Sequence, residues 1–340
     1  MNTQKFKIQF ILLGIAICLV AEVAVYSLNH AFGLWSPIVN VQVPERLGIF
    51  YPERHAGGGM FTNPLLECGG EAGMNSYTEF RISEPDLNDF VSKTTSKYSL
   101  SLMSVYLRDL NNGPWIGINE DKQFIGGSLL KVPLLISYLK WSESNPMLLS
   151  KKIEYKSEIT SNVQYYSPSK QITAGHAYTV EELLQYMIEY SDNNAAELLF
   201  ENIDKNEFNK VFVALGMGDP DPNNPYSVTT KTYSSFFRIL YNASYLNIAN
   251  SEKALLMLSK AEFNRGLQAG IPSSLAVSHK FGIRSDGDVN QLHDCGIVYY
   301  PDHPYLLCVM SRGGTFDDMA KSIAEVSKYV YKNIENLQNK

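Results

Sequence analysis

The sequence predicts an α+β domain in which helices cover one sheet assembled from distant parts of the chain. Strand patterns occur near both ends of the globular region, and helical patterns dominate the segment between them. The chain has 340 residues, of which 45% are apolar, so it can bury a substantial core. These observations exclude a largely disordered chain.

The N-terminal part of this domain predicts one helix and two strands. Residues 85–98 suit a helix, and residues 100–110 alternate between apolar and polar side chains as a strand does. The Asn-Asn-Gly run at 111–113 predicts a turn into a second strand that begins near Trp115.

A helical middle section and a strand-rich C-terminal part follow. Thr179 and Glu182 form a capping box, which predicts a helix that begins there and continues through Tyr190. Three strand patterns lie near the C-terminus, at residues 275–283, 292–300 and 305–310. A closing amphipathic helix is predicted because apolar residues recur at steps of three and four, at Met319, Ile323, Val326, Val330 and Ile334.

Residues 1–28 are predicted to be a membrane anchor. Lys5 and Lys7 precede an apolar run at residues 8–28, which as a helix would span about 31 Å. The positive-inside rule then gives a single-pass protein of the cell membrane, with its N-terminus in the cytoplasm and its globular part outside. A cleaved signal peptide is the alternative, although the segment has no clean A-x-A cleavage site.

The remainder divides into two regions. Residues 29–85 are rich in glycine, proline and turn residues without a sustained period, which is typical of a stalk or a wrap-around arm. Residues 86–340 form the predicted catalytic domain, and the sequence leaves its oligomeric state open.

Charge and cysteine content exclude several classes of function. A net charge of −6 provides no basic surface for nucleic acid, and no spacing of Cys and His indicates a metal site. The four cysteines, Cys18, Cys68, Cys295 and Cys308, are expected to pack in apolar surroundings. Because Cys18 lies in the anchor, an odd number remains outside it, and one thiol there should be unpaired unless the protein dimerises through it.

Ser128 and Lys131 are the first candidates for chemistry. Ser128 follows two glycines, and the spacing of three residues puts Lys131 on the same face of a helix. A lysine whose pKa is lowered by burial or by neighbouring cations can take the proton of a serine hydroxyl. If the helix begins at Ser128, its unsatisfied amides could also bind an oxyanion.

Two further motifs follow in order, Ser191-Asp192-Asn193 and Lys280-Phe281-Gly282. Together with the Ser128 motif they resemble the S-x-x-K, S-D-N and K-T-G set of class A β-lactamases and penicillin-binding proteins. The resemblance spans about residues 86–335. It implies an α/β sandwich in which an antiparallel sheet is flanked by helices and joined to an all-helical lobe.

The resemblance also implies roles for the motif residues. Ser128 would be the nucleophile and Lys131 its general base. Ser191 would relay a proton to the leaving nitrogen, and Asn193 would hold Lys131 and the substrate amide. Lys280 would supply positive potential for a substrate carboxylate and for Ser191.

Substrate contacts follow from the same resemblance. The backbone amides of Ser128 and Ile283 would form the oxyanion hole, and Gly282 would lie beside them. Arg284 could compensate for a missing hydroxyl at position 281 or could be an ordinary solvated charge. Tyr166, with its neighbour at 165, would form an aromatic lip or serve an ordinary packing role, and Asp192 is expected to be structural.

Two departures limit what the resemblance implies. Phe281 replaces the hydroxyl residue of K-T-G, and the loop between the second and third motifs lacks the E-x-x-L-N motif that carries the hydrolytic glutamate of the resembling family. Glu252 is a near match, but it lies in a helical run too close to Lys280. The corresponding stretch, residues 218–229, is short and offers only Asp219 and Asp221, which are typical turn-formers beside prolines.

The sequence therefore predicts a serine hydrolase that forms an acyl-enzyme with β-lactams, with D-Ala-D-Ala stem peptides of peptidoglycan, or with both, without a cofactor. Deacylation is expected to be slow. The alternative is an anchored, catalytically silent binding domain that keeps the cleft. A purely structural role would not require Ser128, Lys131 and Ser191 together, which favours the enzyme.

Overall fold

The computed structural model describes residues 58–64, 82–111, 113–157, 166–215, 227–286 and 289–338. These residues belong to one compact unit, Phe50–Lys340. The predicted anchor and most of the predicted stalk lie outside the described residues, as do Cys18 and Cys68. Within the part that is described, no helix is long and apolar enough to cross a membrane.

The helices and strands that the sequence predicts occur in the predicted order, among further elements that it did not identify individually. The elements are α1 (Glu84–Lys97), β1 (Leu102–Asp109), β2 (Trp115–Ile118), β3 (Phe124–Ile125), a 3₁₀ turn (Gly127–Leu130), α2 (Lys131–Ser144), β4 (Lys152–Tyr155), β5 (His176–Thr179), α3 (Val180–Glu189), α4 (Asn193–Glu201), α5 (Lys205–Ala214), β6 (Ser227–Val228), α6 (Thr230–Tyr241), α7 (Ile248–Leu258), a second 3₁₀ turn (Leu267–Gly270), β7 (Val277–Asp286), β8 (Val289–Val298), β9 (Tyr305–Arg312) and α8 (Phe316–Gln338).

The main sheet has five strands in the order β2-β1-β9-β8-β7, and every neighbouring pair is antiparallel. Strands from the two ends of the domain meet in the centre of the sheet, where β1 pairs with β9. The α+β prediction and the assembly of one sheet from distant segments are therefore confirmed. Among the described residues, β7 is the last strand in this order and pairs only with β8.

Each face of the sheet packs against its own apolar core. One core joins the sheet to α1 and α8, and it buries the five residues that predicted the closing helix: Met319, Ile323, Val326, Val330 and Ile334. The other core joins the opposite face to α2, α3, α6 and α7, which form the helical lobe. The capping box at Thr179 and Glu182 is present and begins α3 as predicted.

Cys295 and Cys308 form a disulfide between β8 and β9. Both side chains are buried, so the predicted apolar surroundings hold, but the two residues are bonded to each other rather than packed as free thiols. The pairing follows from register, because the two residues lie directly opposite each other across the hairpin.

Residues 58–64, within the predicted arm, lie against the helical lobe. The carboxylate of Glu252 on α7 accepts hydrogen bonds from the backbone amides of Phe61 at 2.9 Å and Thr62 at 3.0 Å. The ring of Phe61 meets that of Tyr299 edge to face at 5.1 Å. Glu252 is therefore committed to binding this segment.

Candidate active site

Ser128 lies in a 3₁₀ turn that precedes α2. The α-helix itself begins at Lys131, one turn later than the sequence suggested. Gly127 has a φ of +54°, and a Cβ at this position would lie 2.7 Å from the carbonyl oxygen of Ile283. A side chain here would be strained and would also collide with β7, so glycine allows the serine turn to pack against that strand.

Gly282 on β7 also lacks a side chain at the point where this strand packs against the Ser128 turn. A Cβ at Gly282 would lie 2.4 Å from the carbonyl oxygen of Gly126 and 2.8 Å from Cγ of Leu129. The glycine of the third motif therefore permits β7 to approach the Ser128 turn. This contact places Ile283 beside Ser128, where the two backbone amides were predicted to form an oxyanion hole.

Lys131 is held by the second motif. Its Nζ donates hydrogen bonds to the carbonyl oxygen of Ser191 at 2.6 Å, to Oδ1 of Asn193 at 2.7 Å and to Oγ of Ser191 at 3.2 Å. The side chain is buried, and burial lowers the pKa of Lys131 to about 7, although the negative charge of Asp192 raises it. A lysine with this pKa is partly neutral near pH 7 and can accept a proton.

Ser191 occupies a left-handed backbone conformation, with a φ of +56°, between α3 and α4. Asp192 follows it as the N-cap of α4 and accepts a hydrogen bond from the amide of Asn194 at 2.8 Å. Its other oxygen accepts from the amide of Ile172 at 2.7 Å. Asp192 thus ties its loop together, in the manner expected of a structural residue, and fixes the position of Ser191.

Lys280 reaches the same hydroxyl from the sheet. Its Nζ donates to Oγ of Ser191 at 3.0 Å and to the carbonyl oxygen of Phe281 at 2.9 Å. Lys280 is fully buried, and its pKa is lowered well below the usual value, first by burial and second by the charge of Lys131. Two buried lysines therefore converge on Ser191, which suits proton transfer through that hydroxyl.

His279 on β7 and Asp294 on β8 form a buried pair whose negative charge opposes the lowering of the Lys280 pKa. Nδ1 of His279 lies 2.8 Å from Oδ1 of Asp294, and Oδ2 of Asp294 accepts from the amide of Leu267 at 2.9 Å. The carboxylate of Asp294 raises the pKa of Lys280 against the larger influence of burial. The sequence analysis did not identify this pair, and its only signal was a polar residue within each of two apolar strands.

At position 281 an aromatic ring stands where the resemblance predicted a hydroxyl that binds a substrate carboxylate. The ring of Phe281 is buried and stacks on Phe263 at 4.2 Å, with the edge of Tyr166 at 4.9 Å. Tyr166 is thus next to β7, as an aromatic lip would be. Arg284 is exposed, and its Cβ lies 3.7 Å from the Cβ position of residue 127, at the rim of the Ser128 turn.

The structure brings together most of the residues that the sequence singled out. Hydrogen bonds join buried Lys131, Ser191 and Lys280 with partly buried Asn193, and Ser128, which is partly exposed, lies three residues before Lys131 in the adjoining 3₁₀ turn. Residues 218–226, with both loop aspartates, and residue 165 lie outside the described part of the chain. Among the described residues, no group of three or more His, Cys, Asp or Glu side chains could hold a metal ion.

The protein is accordingly a serine hydrolase of the type to which β-lactamases and penicillin-binding proteins belong. Residues 85–334 match the family described as Beta-lactamase2, the beta-lactamase enzyme family. This match covers more than half of the chain, so the chain belongs to the β-lactamase enzyme family. The resemblance inferred from three short motifs is confirmed.

Known proteins resemble this chain over most of the domain. A β-lactamase of Bacteroides uniformis is 25% identical over 251 residues, which cover 65% of this chain and 82% of the relative. A class A β-lactamase from Mycobacterium abscessus superposes with a TM-score of 0.63 at 21% identity, covering 73% of this chain and 99% of the other. A variant of PBP-A, solved as an acyl-enzyme complex with penicillin G, gives 0.61 at 20% identity, with coverages of 74% and 97%. At these identities the two structures show a shared fold.

Proposed function

We propose that this protein forms an acyl-enzyme at Ser128 with β-lactams and with D-Ala-D-Ala-type stem peptides. The observation that carries the proposal is the buried lysine, Lys131, whose pKa is lowered to about 7 one helical turn after the serine. A base with this pKa can activate a hydroxyl at neutral pH. Ser191 accepts hydrogen bonds from both lysines, which supports its role in passing a proton to the leaving nitrogen.

Slow hydrolysis of the acyl-enzyme is the second part of the proposal. Deacylation needs a base that holds and deprotonates a water molecule beside the ester. Glu252, the near match to the hydrolytic glutamate motif between the second and third motifs, accepts hydrogen bonds from residues 61 and 62 instead. Without such a base, deacylation should be slower by roughly 10²–10⁴-fold.

A time course of intact mass after exposure to penicillin G tests both parts. We expect an adduct of about one penicillin per chain that forms rapidly and decays slowly, and a chromogenic cephalosporin should give a burst of about one equivalent before a slow phase. Rapid linear turnover without a burst would instead indicate an efficient β-lactamase. A chain that stays unlabelled would favour the silent binding domain.

We also propose that residues 1–28 anchor the protein in the cell membrane and that the catalytic domain lies outside the cytoplasm. Two observations support this location. Lys5 and Lys7 precede the apolar run, and the Cys295–Cys308 disulfide is typical of oxidising compartments. A topology reporter fused after Lys340 should be active only outside the cytoplasm, and cytoplasmic activity of the reporter would contradict the proposal.

A further inference from the structure

Three aromatic rings occupy the position beside Lys280. Phe281 stacks on Phe263 with an interplanar angle of 20°, and Tyr166 meets both rings edge to face, at 4.9 Å and 5.9 Å. Phe281 is 3% exposed, whereas Tyr166 is only partly buried. The cluster therefore fills this position with apolar rings, of which Tyr166 is the accessible one, where the resemblance predicted a hydroxyl.

Protein contacts already engage most of the hydrogen-bonding capacity of the Lys280 amino group. A lysine carries three N–H donors. Two are directed to Oγ of Ser191 and to the carbonyl oxygen of Phe281, and Nζ lies 4.0 Å from the centroid of the Phe281 ring, within cation–π distance. Because Lys280 is also fully buried, its Nζ is poorly accessible to a substrate carboxylate.

Negative charge near the cluster also opposes a carboxylate. Glu262 accepts hydrogen bonds from the amide of Ser169 at 3.1 Å and from its hydroxyl at 2.5 Å. The same carboxylate adds to the effect of burial in raising the pKa of Tyr166. The charge of Glu262 therefore lies beside the accessible edge of the aromatic cluster, where the positive charge of Arg265 has a smaller and opposite effect.

Arg284 lies farther along β7 than the position of the missing hydroxyl. It is three residues beyond Phe281, and this separation corresponds to about 10 Å along an extended chain. Its exposed side chain is at the rim of the Ser128 turn. Arg284 and Lys280 thus belong to opposite ends of the cleft wall formed by β7.

We infer that the subsite formed by Tyr166, Phe263 and Phe281 accepts an uncharged group of the acyl donor rather than a free carboxylate. This inference rests on the proposed acylation of Ser128 and narrows its substrate class. Acyl donors with an ester, an amide or an apolar group at this position should react at least as well as those with a carboxylate. A free carboxylate should contribute little to the acylation rate.

The test compares a penicillin with its own methyl ester on the unaltered protein. The second-order rate constant of Ser128 acylation is followed by intact mass, and each value is normalised to the hydroxide-catalysed hydrolysis of the same compound. We expect the ester to react as fast as the acid or faster. A site that binds the carboxylate through charged hydrogen bonds would acylate with the acid roughly 10–100-fold faster than with the ester, and this result would overturn the inference.

Failure of the proposed function gives a different result, because neither compound would then label Ser128, and the inference would be contradicted as well.

Phe281→Thr and Phe281→Val provide a matched pair, since both side chains open the same space and only threonine adds a hydroxyl. The ratio of acid to ester rates should be on the order of tenfold higher in Phe281→Thr than in Phe281→Val. Equal ratios in two variants that melt cooperatively would contradict the role of position 281.

Discussion

Replacing Ser128 with alanine is expected to abolish covalent labelling by penicillin. Ser128 is partly exposed and lies three residues before the buried Lys131, and the proposed mechanism attaches the acyl group to no other residue. The fold should remain, because the removed hydroxyl is only partly buried and such changes usually alter the free energy of unfolding by less than about 1 kcal/mol. Intact mass spectrometry and a thermal melt measure the two effects.

Ser144→Ala is the matched control for this variant. Ser144 is the last residue of the same helix, α2, and its side chain is exposed. The control should be labelled at the rate of the unaltered protein. An adduct that persists in Ser128→Ala would show that another residue is the nucleophile.

The Lys131→Met variant should acylate more slowly by roughly 10²–10⁴-fold, which is the usual contribution of a general base. Methionine has a similar length and no charge, so it suits the buried position without leaving an unpaired ion. The second-order rate constant of acylation gives the measurement. Lys140→Met, farther along α2 and paired with Glu143 at 2.8 Å, is the control that should keep the full rate.

The same base predicts a pH dependence. Burial lowers the pKa of Lys131 to about 7, so the neutral form that accepts the proton of Ser128 is scarce below that pH and abundant above it. The acylation rate of the unaltered protein should therefore rise with pH through about 7 and then level off. Lys131→Met should lose this inflection, and a profile that is flat between pH 5 and 9 in the unaltered protein would contradict the assignment.

Local sequence features predicted the elements but not all of their boundaries. The period of the closing helix and the capping box at Thr179 are properties of neighbouring residues, and both are present in the structure. The start of α2 differs by one turn, because the closeness of β7 favours a 3₁₀ turn with a left-handed glycine before Lys131. No local pattern could reveal that contact.

The strand register of the last hairpin is a second feature that the sequence analysis did not predict. Cys295 and Cys308 lie at equal distances from the turn between β8 and β9, so their pairing could have been predicted once the two strands were joined as a hairpin. The sequence analysis identified the strands without fixing their register. Buried polar partners such as His279 and Asp294 were missed because a strand pattern records burial and not which side chains meet across the sheet.

The sequence by itself determined the class of the protein, because the order of three short motifs carries the chemistry of a serine hydrolase. Only the tertiary structure decided how those motifs act. Contacts between distant segments direct Lys131 and Lys280 to the hydroxyl of Ser191, and burial lowers the pKa of each lysine. The sequence showed only that position 281 lacks a hydroxyl, whereas the structure shows that the Phe281 ring stacks on Phe263 and so forms part of the proposed apolar subsite. Burial and long-range contact set these properties, and neither is encoded in the spacing of residues along the chain.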